Sequence, residues 1–258
     1  VGGDHVAVEQ LMGEGIDPHL YKASTGDIAR LDAADVIFYS GLHLEGKMAD
    51  IFARMAKRRA TVAVTDGIPR DRLLETAPNH YDPHAWFDVA LWSRCLGAVI
   101  DGLVKVDPAN ASAYRENAQK YRDELAKLDA WCRQRLSNVP ESRRVLVTAH
   151  DAFSYFARAY GFEVRAIQGI STESEAGVRE INQLVAFIAE REIKAVFVES
   201  SVSERNIRAL VEGCEARGHH VRVGGELFSD AMGRPGTPEG TYVGMVRHNV
   251  ETIAKALE

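Results

Sequence analysis

Two short segments of the 258-residue chain repeat one arrangement of side chains. Asp17-Pro18-His19-Leu20-Tyr21 and Asp82-Pro83-His84-Ala85-Trp86 each place Asp-Pro ahead of a histidine and an aromatic residue two positions after it. Proline fixes its own φ and biases the residue before it toward extended backbone, so each histidine sits on a stiff corner. A stiff corner can aim an imidazole at small ordering cost, and Asp17 and Asp82 are candidate acceptors for the second ring nitrogen. One such segment alone reads as a turn with a solvated histidine. The repetition, with its trailing aromatic, argues for a paired role.

Two more donors have a matching address. His150 ends the apolar run Arg144–His150 (RVLVTAH), and Asp230 follows the run His220–Gly225 (HVRVGG) within Leu227-Phe228-Ser229-Asp230. Ligands of open α/β sheets collect at the carboxyl ends of strands. His19, His84, His150 and Asp230 together would give three imidazoles and one carboxylate, a shell suited to Zn²⁺ at about 2.0–2.2 Å. Mn²⁺ takes the same atoms and prefers more oxygen, which a bidentate Asp230 would supply. Such ligands must be deprotonated, so affinity should fall as the histidines protonate near pH about 6. Four protein ligands would also close the shell, whereas a hydrolytic metal keeps a position for water. A metal-dependent hydrolase using the same histidines is the alternative to a binding protein.

The remaining histidines carry less. His5, His80, His219, His220 and His248 lie in polar or terminal contexts and read as solvated, and His43 is the substitute ligand. Gly41-Leu42-His43-Leu44-Glu45-Gly46-Lys47 matches G-x-x-x-x-G-K after a strand-like run, but Met48 stands where a phosphate loop needs Ser or Thr for Mg²⁺. Glu199, at the end of another apolar run, is a candidate partner to the site or to a salt bridge. Cys95, Cys132 and Cys214 form no C-x-x-C pair and read as small buried apolar residues, with one disulfide and a spare thiol as the rival.

The elements that must position these residues are legible as short β-branched runs separated by helical stretches. Besides those named, the runs are Asp35–Gly41, Ala60–Asp66 and Ile193–Ser200. Continuous apolar runs suit strands covered on both faces, and the helical stretches between them predict βαβ units with mostly parallel sheets. One stretch breaks the rhythm. From Asp107 to Ser137 there is no glycine, and Tyr114, Ala118, Tyr121, Leu125, Leu128, Cys132 and Leu136 draw one apolar stripe at helical spacing. Asp107 is a candidate cap, Pro108 suits a first turn, and Pro140 forbids continuation. About 30 residues at about 1.5 Å each predict a helix of roughly 45 Å. The reading is a strut between two lobes, against a long surface helix on a single domain. It divides the chain into an N-terminal α/β lobe, 1–106, a connecting helix, 107–138, and a C-terminal α/β lobe, 139–258. The patch Gly233–Gly240 reads as a loop before a last helix.

Composition narrows the partners. Hydrophobic residues make up 46% and charged residues 26%, as in an ordinary globular chain, and the net charge of −6 lacks the basic stripe that nucleic acid demands. No apolar run approaches the length of a membrane span, and Val1 leads into polar sequence without a cleavable signal.

The motifs resemble, in order and nearly end to end, those of the cluster A-I (cluster 9) metal-binding receptors of ABC importers. The segments that carry the resemblance are GIDPHLY (Gly15–Tyr21), YDPHAWFD (Tyr81–Asp88), VLVTAHDAFSYFARAYGFEV (Val145–Val164), VFVESS (Val196–Ser201) and GGELFSDAMG (Gly224–Gly233). The resemblance implies two lobes joined by one long helix, with a single Zn²⁺ or Mn²⁺ as cargo in the cleft. It places the ligands on His19, His84, His150 and Asp230. It further implies a monomer at the periplasm or cell surface, with or without a lipid anchor, that docks a membrane permease. Family members begin with a strand ahead of the position of Val1, so the N-terminal sheet is expected either to be one strand short or to draw that strand from chain preceding Val1. Many zinc receptors of the family carry a His- and acid-rich loop before the second ligand. Arg70–Asn79 is short and has no histidine cluster, which leaves the metal open.

Overall fold

A computed structural model describes all residues, 1–258, which fall into two compact units. The first comprises Val1–Met12 and Pro18–Asp129, and the second comprises Gly13–Asp17 and Ala130–Glu258.

In the first unit, α1 (Thr25–Ala33) leads into β1 (Val36–Tyr39), α2 (Ala49–Met55) and β2 (Ala60–Ala63). β1 and β2 pair in parallel, Val36 opposite Ala60 through Tyr39 opposite Ala63. An antiparallel hairpin follows, β3 (Glu75–Ala77) with β4 (His80–Tyr81), then α3 (Val89–Trp92) and α4 (Leu96–Val106). One face of the β1–β2 pair buries Ile37 with Leu31, Met48, Phe52 and Met55. The other lies against α4 so closely that a Cβ on Gly102 would meet the Phe38 ring at 2.7 Å.

α5 (Ala111–Leu136) is one continuous helix of 26 residues, about 39 Å at 1.5 Å per residue. It follows a 3-10 turn at Pro108–Asn110. Tyr114, Ala118, Leu125, Leu128, Cys132 and Leu136 of the expected stripe are buried. Asp107 makes no cap to the helix backbone. Its carboxylate instead accepts from the Tyr114 hydroxyl at 2.5 Å and the Asn110 amide at 2.7 Å. The last turns of α5 belong to the second unit. There Arg247 stacks on Trp131 at 4.5 Å and Arg135 bonds Glu251 at 3.2 Å.

The second unit contains β5 (Val145–His150), α6 (Ser154–Tyr160), β6 (Glu163–Gln168), α7 (Val178–Glu190), β7 (Ala195–Glu199), α8 (Arg205–Glu215), β8 (Arg222–Leu227) and α9 (Tyr242–Leu257). β5 pairs with β6 and β7 with β8, both in parallel, and β5 lies beside β7. The strands β5 and β7 are buried along their whole length, as their unbroken apolar sequence requires. Around them pack Leu184, Val185 and Ile188 of α7 and Ile207, Leu210 and Cys214 of α8. The β7–β8 register slips after Val196–Val223, so that Phe197 faces Gly225. At this bulge a Cβ on Gly224 would stand 2.8 Å from Ala256, and one on Gly225, whose φ is +147°, 2.5 Å from Thr252. Two glycines therefore let α9 lie directly on β8.

The fold is thus α/β, with small parallel sheets flanked by helices and one long connecting helix. No helix is long and apolar enough to cross a membrane. The three cysteines are buried and free, and burial pushes the Cys95 thiol up to about 12. The Gly233–Gly240 patch folds back on itself, with the Gly233 amide donating to the Glu239 carbonyl at 2.9 Å, before Thr241 caps α9.

Candidate metal centre

The first unit brings its two expected histidines together. His19 and His84 are buried, and their Nε2 atoms stand 3.4 Å apart. His84 opens a 3-10 turn, Ala85–Phe87. Its backbone amide and its ring Nδ1 both reach Asp82 Oδ1, at 2.9 and 2.7 Å. A carboxylate can only accept, so the contact assigns a proton to Nδ1 and leaves Nε2 as the ring atom whose lone pair can face a metal. The trailing aromatics do different work. Trp86 packs edge-on against the His84 ring at 5.2 Å between centroids. Tyr21 donates from its hydroxyl to Asp27 Oδ2 at 2.8 Å. Asp27 in turn shares a capping box with Ser24 at the start of α1. The Ser24 hydroxyl and amide and the Tyr21 hydroxyl hold the Asp27 carboxyl down at about 2. The corner bearing His19 is thereby tied to the end of a helix. Asp17 has a partner outside the histidine corner: its carboxylate accepts from the Thr172 hydroxyl at 2.5 Å.

The second unit supplies the other pair. His150 Nε2 and Asp230 Oδ2 are 3.2 Å apart, and both side chains are fully buried. Glu199, at the end of β7, is the partner of His150. Its Oε2 lies 2.5 Å from His150 Nδ1, and its Oε1 accepts the backbone amides of Ala149 and His150 at 2.8 and 2.9 Å. Three donors on one carboxylate lock the ring with Nδ1 protonated and Nε2 directed away from Glu199. Desolvation, the largest single influence on His150, opposes its charged form. The Glu199 and Asp230 carboxylates together outweigh it and hold the ring's pKa well above the ordinary value.

The spacings have a chemical meaning. Two donors bonded at about 2.0–2.1 Å and subtending a tetrahedral angle at zinc stand about 3.3–3.4 Å apart. The imidazole pair at 3.4 Å and the imidazole–carboxylate pair at 3.2 Å each match one edge of such a tetrahedron.

The other expectations sort themselves physically. His219 is half-buried, with Nε2 2.6 Å from the Ile193 carbonyl, and His248 likewise meets the Glu226 carbonyl at 3.0 Å. Both were expected to be solvated; each is a backbone tether. His43 and His80 are exposed, with rings 6.0 Å apart. In the G-x-x-x-x-G-K segment, Gly41, Leu42 and His43 all have positive φ (94°, 54° and 65°). Two amides at the entry to this curl are taken: Glu45 accepts from Ser40 N at 2.7 Å and Gly41 N at 3.2 Å. Burial pushes the Glu45 carboxyl up in pKa.

Two tethers escaped the sequence reading. Nothing local marks Asn249 as the partner of Phe228, or Thr172 as the partner of Asp17, because 21 and 155 positions separate them.

Comparison with known proteins agrees with this chemistry. The chain is 51% identical over 259 residues to the manganese-binding lipoprotein MntA of Bacillus subtilis, covering 100% of this chain and 85% of that one. It is also 51% identical over 252 residues to the zinc-binding protein TroA of Treponema pallidum, covering 98% and 82%. The solved structure of the periplasmic zinc-binding protein TroA superposes with a TM-score of 0.97 at 50% identity, over 100% of this chain and 93% of that one. A manganese-bound periplasmic metal-binding protein from Candidatus Liberibacter asiaticus follows with a TM-score of 0.86 at 26% identity, over 100% and 93%. These are transport components, and nothing among them supports the hydrolase alternative. With the family model of the periplasmic zinc-uptake complex component A matching residues 1–256, the chain belongs to the ZnuA family, the metal-binding receptors of ABC importers that its motifs resemble.

Proposed function

We propose that the chain captures one Zn²⁺ or Mn²⁺ through His19, His84, His150 and Asp230 and delivers it to the permease of an ABC importer. The observation that carries the reading is the spacing within each pair, 3.4 Å and 3.2 Å, with the far nitrogen of His84 and of His150 held by a carboxylate. Three imidazoles and one carboxylate complete a four-coordinate zinc shell. Manganese draws a second oxygen from the same Asp230. Relatives of equal identity are named for each metal, so cellular supply decides the cargo. The protein works as a monomer outside the cytoplasm, at the periplasm or cell surface, and uses no nucleic acid. Its lobes are 1–106 and 139–258, with 107–138 as the strut, and the stiffness of α5 limits how far capture can close them.

The test is metal titration of the wild type beside His150→Ala, followed by elemental analysis of protein from its native host. One metal per wild-type chain, lost in His150→Ala, is the expected result. Stoichiometric, tight metal in His150→Ala would refute the ligand set. Small-angle scattering with and without metal tests the strut: a large compaction on binding would refute it.

A further inference from the structure

Asn249 is a buried amide on a helix face that is otherwise apolar. Met245, Val246, Val250 and Ile253 surround it on the inward side of α9, and its own exposure is 2%. An amide buried there is tolerated only if its hydrogen bonds are made. The two strong ones go to one residue, and a weak third runs from Nδ2 to Met245 Sδ at 3.6 Å. Asn249 Oδ1 accepts from the Phe228 backbone amide at 2.9 Å, and Nδ2 donates to the Phe228 carbonyl at 2.7 Å. β8 pairs with β7 and no second strand, so the side chain supplies, just past its end, the donor and acceptor that a neighbouring strand would offer.

The segment it grips ends in Asp230. Leu227 O accepts from Ser200 N at 3.0 Å, and Ser229 Oγ lies 3.0 Å from Ser201 Oγ. The neighbouring α9 residue, His248, reaches Glu226 O at 3.0 Å. Every residue from Glu226 to Ser229 is therefore held, Leu227 by the strand ladder and Phe228, just past it, at both main-chain groups by the Asn249 side chain. We propose that Asn249 is the positioning residue for Asp230. It fixes the backbone two residues ahead of the ligand and so sets how firmly the carboxylate retains the metal. The inference rests on the metal-capture reading above. It also accounts for the residue type, since a carboxylate in place of the amide cannot donate to the Phe228 carbonyl.

The test compares wild type, Asn249→Ala, Asn249→Asp and the core control Ile253→Val, each loaded with Zn²⁺ and then challenged with excess chelator. Circular dichroism and melting of the metal-free proteins report folding. Both Asn249 variants should still bind one Zn²⁺ but release it about tenfold faster or more, a change of about 1.4 kcal/mol. Ile253→Val removes buried apolar volume from the same helix and should release at the wild-type rate. Should Asn249→Ala fail to fold, the near-isosteric Asn249→Asp carries the comparison. Wild-type release rates in the folded Asn249 variants would overturn the role of Asn249 and leave the capture reading standing. Equal acceleration in Ile253→Val would overturn it as well, by reducing the effect to general destabilisation. A wild type that retains neither Zn²⁺ nor Mn²⁺ would overturn the capture reading itself.

Discussion

Glu199→Gln is the most informative single change at the centre, because it preserves shape and alters one proton. In the native protein Glu199 Oε2 takes the Nδ1 proton of His150, and Oε1 takes two backbone amides. Glutamine can keep the two backbone bonds through its carbonyl oxygen. Its NH₂ group then faces Nδ1, and two donors cannot share that bond, so the ring is driven to carry its proton on Nε2, the atom through which the proposed ligand would bind metal. Glu199 also holds the proton of the metal-free ring, so its removal eases competition from protons. That relief is the smaller effect, since a divalent ion brings two charges to the buried carboxylate where a proton brings one. Loss of an orienting partner of this kind costs about 10–100-fold in affinity, or about 1.4–2.7 kcal/mol. The metal-free fold also loses a buried charge-assisted bond worth about 1.5–3 kcal/mol. At about 2–4 °C per kcal/mol for a chain of this size, the melting temperature should fall by about 3–12 °C. Chelator competition at pH 7 measures the first effect and calorimetry the second. A variant that binds Zn²⁺ with wild-type affinity would refute the argument from the ring's proton.

Two further outcomes follow from the same geometry. The raised pKa of His150 favours the doubly protonated ring in the metal-free protein, so capture should release a proton and affinity should climb with pH until the raised pKa is passed; titration calorimetry in buffers of different ionisation enthalpy should detect the proton, and its absence would refute the assignment. The sign for stability is opposite: a pKa raised by folding stabilises the metal-free protein fully below the unfolded value of about 6.5, and that contribution is lost as pH rises through the folded value. Gly225→Ala puts a Cβ 2.5 Å from Thr252 at a φ of +147°, which should cost about 1–3 kcal/mol; adding Thr252→Ser removes the struck methyl and should recover part of the melting temperature, and no recovery would place the whole cost in the backbone.

Much of the fold is written in local pattern. The runs at Val36–Tyr39, Ala60–Ala63, Val145–His150 and Ala195–Glu199 are continuous and apolar because helices or neighbouring chain cover them, and each is a strand. The helix Ala111–Leu136 announces itself by its stripe and by the lack of glycine. β6 was less legible: Glu163 and Arg165 interrupt its apolar pattern, because it pairs with β5 alone and leaves part of its surface in water. The hairpin of β3 and β4 is short, and all its residues but Tyr81 are exposed. At the centre, the doubled Asp-Pro-His pattern pointed to two histidines because the stiffness that aims them is encoded in adjacent residues. The strand-end position of Glu199 marks it as a candidate partner to the site, but its pairing with His150 depends on two strands ending side by side, 49 positions apart, which spacing along the chain does not specify.

The curl at Gly41–His43 shows how one residue can reverse the meaning of a motif. A glycine–lysine loop after a strand attracts anions because its backbone amides converge with nothing to receive them. Here the loop grows its own anion from within, and Glu45 occupies the seat from the residue after next. A phosphate arriving at this turn would meet the Glu45 carboxylate and, at Ser40 and Gly41, amides already engaged. The same spelling with an acid at its fifth letter therefore describes a self-sealed corner that braces the end of β1, and it is the carboxylate, more than the missing serine, that closes the door to nucleotides.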